Sequence, residues 1–340
     1  MSNSAELQKT IDDMIDSERG ILAADESTGT MTKRLKAVGV ESTEENRRWY
    51  RSMLLSTPEV GNYICGVIFY EETLSQKDDK GTPLPELAAS QGVIPGIKVD
   101  KGKAPLPGAP GDMITYGLDG LEDRLQGYKA QGARFAKWRE VYPISDHNPT
   151  PLGLTANAEM LARYAAICQA AGIVPIVEPE VLIDGDHSMY RAAEVNEQVW
   201  HSVFHALHQH GVVLEHMILK PSMITPGKET GKASPEEVAE MTLRILRRTV
   251  PAAVPSINFL SGGQTSEEAT ANLNALNHLR DKAPWHLSMS YGRALQEHAM
   301  KAWGGDTSNL EKAQQAFLKR AKLNSMARRG VYESQQEEAV

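Results

Sequence analysis

The chain is poor in cysteine: Cys65 and Cys168 are its only two, far apart and without CxxC spacing. That excludes a disulfide framework and a thiolate metal site, and both thiols are expected in the core. The chain also lacks any apolar tract of about 18 residues or more, so no membrane-spanning helix is expected. Residues 1–20 lack the basic-then-apolar layout of a secretory signal and carry Glu6, Asp12, Asp13 and Asp16 instead, which points to the cytoplasm. Basic side chains are in the minority, 36 against 44 acidic for a net charge of -8. This balance argues against a general nucleic-acid binder and leaves any cationic site to a local pocket. No GxGxxG follows an early strand, and no cluster of histidines with carboxylates falls at strand ends.

What is present is alternation. Eight short runs, 20–25, 65–70, 96–100, 134–139, 174–180, 216–221, 256–262 and 286–292, are apolar at most positions and read as buried parallel strands. Between most of them lie amphipathic helical stretches, including 158–171, 194–209, 235–248 and 267–279. Ser234, followed by Pro235 and by Glu237 three residues on, is a capping-box pattern that starts one helix. Gly172 and Gly211 fall just past helix ends, where a left-handed residue favours glycine.

Eight strand–helix units are the arithmetic of a closed (β/α)8 barrel, the TIM-barrel fold, which leaves no sheet edge unpaired. An open doubly wound sheet is the alternative, and its dinucleotide fingerprint is missing. Residues 1–19 read as a leading helix and 309–328 as a closing one. A single barrel domain is therefore expected over 1–331, with a short polar tail over 332–340 and a surface loop at 77–85.

In such a barrel chemistry sits at the carboxyl ends of the strands. The first run closes on Asp25, the third contains Lys98, the fourth Lys137, the fifth Glu178 and Glu180, and the sixth Lys220. The seventh ends in Ser261-Gly262-Gly263, and the eighth runs into Ser290-Tyr291-Gly292-Arg293. Any one of these charges could be a structural ion pair, but their recurrence in the same part of each unit favours a site. Without metal ligands at the strand ends, a lysine amine can supply the electrophile. It condenses with a ketone, and the iminium accepts electrons from the adjacent carbon–carbon bond. The rival metal motif is His201, His205 and His208 on one helix face, with His210 nearby, and it reads as helix surface.

The chain closely resembles the class I fructose-bisphosphate aldolases. The resemblance runs from Gly20-Ile-Leu-Ala-Ala-Asp-Glu-Ser-Thr28 to Lys301-Ala-Trp-Gly-Gly305. Between these lie Glu44-Glu-Asn-Arg-Arg48, Gly96-Ile-Lys-Val-Asp-Lys-Gly102, Phe135-Ala-Lys-Trp-Arg139, Ile173-Val-Pro-Ile-Val-Glu-Pro-Glu180, Leu219-Lys-Pro221, Phe259-Leu-Ser-Gly-Gly-Gln264 and Ser290-Tyr-Gly-Arg-Ala-Leu295. The resemblance implies that Lys220 forms the imine and that Glu178 is the acid and base when the carbinolamine loses water. It implies that Asp25 moves a proton at the hydroxyl next to the bond that breaks, and that Lys137 lies beside the imine lysine. Glu180 joins this set as a further catalytic candidate.

For the two phosphates the resemblance puts one on Arg293 and the amides near Ser261, Gly262 and Gly263, with Ser290 and Gly292 as further ligand positions. It suggests Ser27, Arg34 and Lys98 toward the other. Metal-free, reversible cleavage of fructose 1,6-bisphosphate to glycerone phosphate and glyceraldehyde 3-phosphate is the expected activity, in a homotetramer and with no cofactor. Two other readings are a related imine-forming enzyme for another phosphorylated sugar and a non-catalytic scaffold that kept the barrel. One departure from the family is the end of the sequence, Gln336-Glu-Glu-Ala-Val340, where studied members carry a tyrosine that assists proton transfer; Tyr332 is the last tyrosine here.

Overall fold

Apolar β-formers alternate with polar turns along the chain, and the computed structural model, which describes residues 3–15 and 18–338, turns those runs into strands. In chain order they are β1 (Gly20–Ala24), β2 (Ile64–Phe69), β3 (Ile94–Lys98), β4 (Lys103–Pro105), β5 (Met113–Thr115), β6 (Phe135–Tyr142), β7 (Val174–Val181), β8 (Ile218–Leu219), β9 (Ser256–Phe259) and β10 (His286–Tyr291). Eight of them close into a parallel barrel in the order β1-β2-β3-β6-β7-β8-β9-β10, with β1 pairing back onto β10. The remaining two, β4 and β5, pair antiparallel as a separate ribbon that the sequence did not announce.

Side chains alternate across each strand, so the barrel interior is a set of columns read two residues apart. Ile21 and Ala23 on β1, Phe135 on β6, Val174 and Ile176 on β7 and Ile218 on β8 fill the lower interior as one apolar cluster. One step further up the same columns stand Asp25, Lys137, Glu178 and Lys220, which line the pocket at the mouth. The intervening residues Leu22, Trp138, Val177 and Leu219 face outward and pack under the helices. Gly96 is required by this interior: a Cβ there would stand 2.2 Å from the Phe135 ring.

The expected helices form over Pro151–Ala170, Met189–Gln209, Pro235–Thr249 and Ser266–His278, and the capping box of Ser234 with Glu237 is present. Gly172 and Gly211 take φ of 74° and 65° at the chain reversals they were expected to make. The leading helix spans Ser4–Ile15 and the closing one Leu310–Arg329; residues 1–2 and 16–17 of the expected leading helix lie outside the described residues. Of the tail expected over 332–340, Tyr332 is buried and its hydroxyl donates to Glu337 at 2.9 Å. Glu337 also receives the fully buried Arg320 at 2.6 Å, and residues 339–340 lie outside the described part. Among the described residues no helix is long and apolar enough to cross a membrane.

Candidate active site

The alternation that builds the interior also gathers the charges. Asp25 follows directly on β1, Lys137 lies in β6, Glu178 in β7, and Lys220 follows β8 while its N–H still donates to Val177 O at 2.8 Å. Their side chains meet on the pocket floor. Lys137 Nζ lies 2.7 Å from Asp25 Oδ2 and 3.0 Å from Glu178 Oε2, and Lys220 Nζ lies 3.2 Å from Glu178 Oε1. Lys137, Glu178 and Lys220 are each less than 5% exposed. Burying such charges costs several kcal/mol per ion unless they are paired, roughly. Here two carboxylates and two ammoniums compensate each other.

Burial pushes the Asp25 carboxyl up, but Lys137, Lys220 and Lys98 outweigh it and hold the group well below the carboxylate range. Glu178 behaves alike: burial raises it, and Lys137, Lys220 and Arg139 bring it below its ordinary value. Burial works against the Lys137 ammonium, yet Asp25, Glu178 and Asp100 push its pKa upward. Lys137 is thus a fixed cation between two fixed anions.

The pocket, about 950 Å³, is lined by every residue the sequence nominated: Asp25, Ser27, Arg34, Lys98, Lys137, Glu178, Glu180, Lys220, Ser261, Gly262, Gly263, Ser290, Gly292 and Arg293. Arg293 opens the helix Arg293–Trp303 and donates to Gln264 O at 2.8 Å, facing the 261–263 turn. In that turn Gly263 has φ 78°, and a Cβ on it would stand 1.9 Å from Ile183 Cδ1. The Ser290 hydroxyl is buried with no partner among the described residues, and so is free to meet a ligand. On the adjoining β1 side Ser27 caps the helix Thr28–Ala37, and Arg34 on that helix, close to Gly292, pairs with Glu26, which Gln296 holds at 2.9 Å. Lys98 reaches Asp100 Oδ1 at 2.5 Å. Backbone amides, guanidinium and ammonium groups around the pocket suit a substrate with two phosphates.

Several lining residues were not singled out from sequence. Arg139 stands two residues after Lys137 on the same face of β6 and pairs with Glu180; strand alternation from Lys137 was the signal for it. Tyr70, Glu71, Lys101 and Lys103 also line the mouth, and nothing in their local pattern marks them. The histidines are not part of the site. His201, His205 and His208 stay exposed on the helix Met189–Gln209, and His210 pairs with Glu159 at 2.9 Å. Among the described residues no three His, Cys, Asp or Glu side chains converge as metal ligands do.

A family model described as Fructose-bisphosphate aldolase class-I matches residues 6–340. The chain is 55% identical to fructose-bisphosphate aldolase 6, cytosolic, of Arabidopsis thaliana, over 92% of this chain and 88% of the relative. It is 52% identical to fructose-bisphosphate aldolase C of Pan troglodytes, over 98% and 94%. The fold superposes with a TM-score of 0.96 on a fructose-bisphosphate aldolase from Plasmodium falciparum, solved in complex with TRAP and a small-molecule inhibitor. That match has 46% identity and covers 98% of this chain and 97% of the other. The barrel, the pocket and these matches agree: the chain belongs to the class I fructose-bisphosphate aldolase family.

Proposed function

We propose that Lys220 is the nucleophile of a metal-independent cleavage of fructose 1,6-bisphosphate, and that Glu178, Asp25 and Lys137 carry its protons and charges. Glu178 takes the proton of the Lys220 ammonium beside it, the resulting amine attacks the C2 ketone, and Glu178 returns that proton to the carbinolamine hydroxyl, which leaves as water. Asp25 takes the proton of the C4 hydroxyl; the C3–C4 bond breaks, its electrons pass to the iminium, and glyceraldehyde 3-phosphate departs. Protonation of the enamine and hydrolysis then release glycerone phosphate and restore Lys220. Lys137 fixes Asp25 and Glu178 in place, and Glu180 holds Arg139 against the pocket wall. Arg293, Ser261, Gly262, Gly263, Ser290 and Gly292 take one phosphate, and Ser27, Arg34 and Lys98 the other.

The observation that carries this reading is the buried Lys220 ammonium 3.2 Å from Glu178 on the floor of a pocket whose lining carries Arg34, Lys98 and Arg293. Borohydride reduction in the presence of substrate tests it by fixing an adduct on that lysine. The barrel with its leading and closing helices, 1–331, is proposed as one domain, to which Arg320 and Glu337 tie the tail from 332. A homotetramer is proposed as the assembly, for which the exposed apolar side chains Tyr190, Tyr116, Leu152 and Val213 supply contact surface; sedimentation measures it. The cytoplasmic setting agrees with the plant relatives named cytosolic.

A further inference from the structure

Asp25 stands where β1 has ended. The ladder with β2 closes on Ala24 opposite Phe69, and the pairing with β10 stops at Leu22, so residues 25–27 lie beyond both ladders. Lys137 holds the Asp25 carboxylate, but the backbone that carries it needs partners of its own. Two buried side chains are those partners. Gln296 donates its side-chain amide to Ala23 O at 2.7 Å, two residues before Asp25, and Arg51 donates from Nη2 to Glu26 O at 2.6 Å, one residue after it. Both are 1% exposed. Arg51 lies behind the pocket wall, whereas Asp25, Glu26 and Ser27 form part of that wall.

Arg51 stands on the helix Glu44–Leu55, whose Trp49 and Tyr50 rings each pack against Trp303 with centroids 5.4 Å apart. The Tyr50 hydroxyl donates to Gln296 O at 3.3 Å, so the two helices that hold the Asp25 segment are also fastened to each other. A buried guanidinium needs counter-charge, and Arg51 has it: Nη1 lies 3.6 Å from Glu72 Oε2, Nη2 lies 3.9 Å from Glu26 Oε2, and Cζ stands 5.9 Å from the centre of the Tyr70 ring. Yet the hydrogen bond of Nη2 goes to the Glu26 carbonyl and to neither carboxylate. Those carboxylates are bonded by other donors, Glu72 by Arg47 at 2.9 Å and Glu26 by Arg34 and Gln296. A planar fork can set one nitrogen on the carbonyl and turn the other toward Glu72, whereas the single ammonium of a lysine would settle on a carboxylate.

We infer that Arg51 is a positioning residue for the carbon–carbon cleavage: by holding the Glu26 carbonyl it sets the Asp25 carboxylate against the C4 hydroxyl. It acts through the backbone and touches no substrate. Its effect is confined to the step that Asp25 serves, because Glu178 and Lys220 are carried by β7 and the end of β8, away from the Asp25 segment. The inference rests on the reading of Lys220 as the imine lysine and of Asp25 as the base for the C4 hydroxyl.

The test compares two readouts in Arg51→Lys, each per amount of folded protein: kcat for cleavage of fructose 1,6-bisphosphate, and the yield of borohydride-trapped adduct at saturating glycerone phosphate. Glycerone phosphate forms the imine with no carbon–carbon bond to break, so it reports on Lys220 and Glu178 without Asp25. Arg51→Lys is expected to lower kcat about 10-fold or more and to keep the adduct yield of the natural protein. A natural kcat, or a loss of kcat and adduct in the same proportion as general loosening would give, overturns the inference. If Arg51→Lys does not fold, Arg51→Met combined with Glu72→Gln serves, since it removes a buried cation and an anion together. The same split between kcat and adduct is expected there, and natural kcat or a proportional loss overturns the inference. Absence of both cleavage and adduct in the natural protein overturns the functional reading instead.

Discussion

Lys137 Nζ stands 2.7 Å from the Asp25 carboxylate, and the pair is nearly dry, with side chains 3% and 13% exposed. Removing either partner leaves the other charged and buried. Lys137→Met is expected to lower stability by about 3–5 kcal/mol, because the carboxylates lose their counter-ion, and to lower kcat by roughly 10²-fold or more. Urea unfolding gives the first quantity and steady-state cleavage the second.

Acid should unfold the protein through this same floor. Asp25 and Glu178 sit below their ordinary values of 3.8 and 4.5, so the folded state favours the ionised forms. The stability they contribute is fully present above the ordinary values and is lost as pH falls through the depressed ones. A Tm series down to about pH 3 should therefore fall below about pH 4.5 in the natural protein and fall less steeply in Glu178→Gln.

As a proposed phosphate ligand, Arg293 would supply a charge-assisted contact that counts in both ground and transition state. Arg293→Ala is expected to raise KM for the bisphosphate by roughly 10-fold or more with a much smaller change in kcat. Initial-rate kinetics over substrate concentration measure the split.

Gly96 answers to the barrel interior rather than to the site. Gly96→Ala drives a Cβ into the Phe135 ring, 2.2 Å away, and should cost about 1–3 kcal/mol. Phe135→Leu in the same chain should recover part of that loss, a coupling that a double-mutant cycle in urea reads directly.

The barrel was legible because parallel strands buried on both faces must be apolar nearly throughout, and helices between them carry caps. The run expected at 96–100 forms β3 at Ile94–Lys98 instead, since Pro95 and Gly96 belong to the strand despite their weak propensities. There the ladder runs beside β2 and β6, and only a missing side chain leaves room for Phe135. The run at 216–221 keeps just Ile218–Leu219 as strand, because His216 closes a 3-10 turn and Pro221 has no N–H for the ladder.

All the nominated site residues line one pocket; Asp25, Lys98, Lys137, Glu178, Glu180 and Lys220 were legible as charges near the ends of apolar strands, whereas Ser27 and Arg34 came from the family resemblance alone. Arg139 escaped notice at the polar end of its run, and Glu140 carried no local mark of its burial. The ribbon β4–β5 consists of two three-residue strands, too short for any period to show. What it walls off is decided by long-range packing against β6.

The central claim is that Lys220 carries the imine. Its most direct test is borohydride reduction of the protein with fructose 1,6-bisphosphate or glycerone phosphate, in excess chelator, followed by peptide mass spectrometry. One reduced adduct on Lys220, with activity lost in proportion and Lys220→Arg unlabelled, is the result predicted. An unmodified Lys220 in a protein whose cleavage stops with chelator and returns with zinc would contradict it.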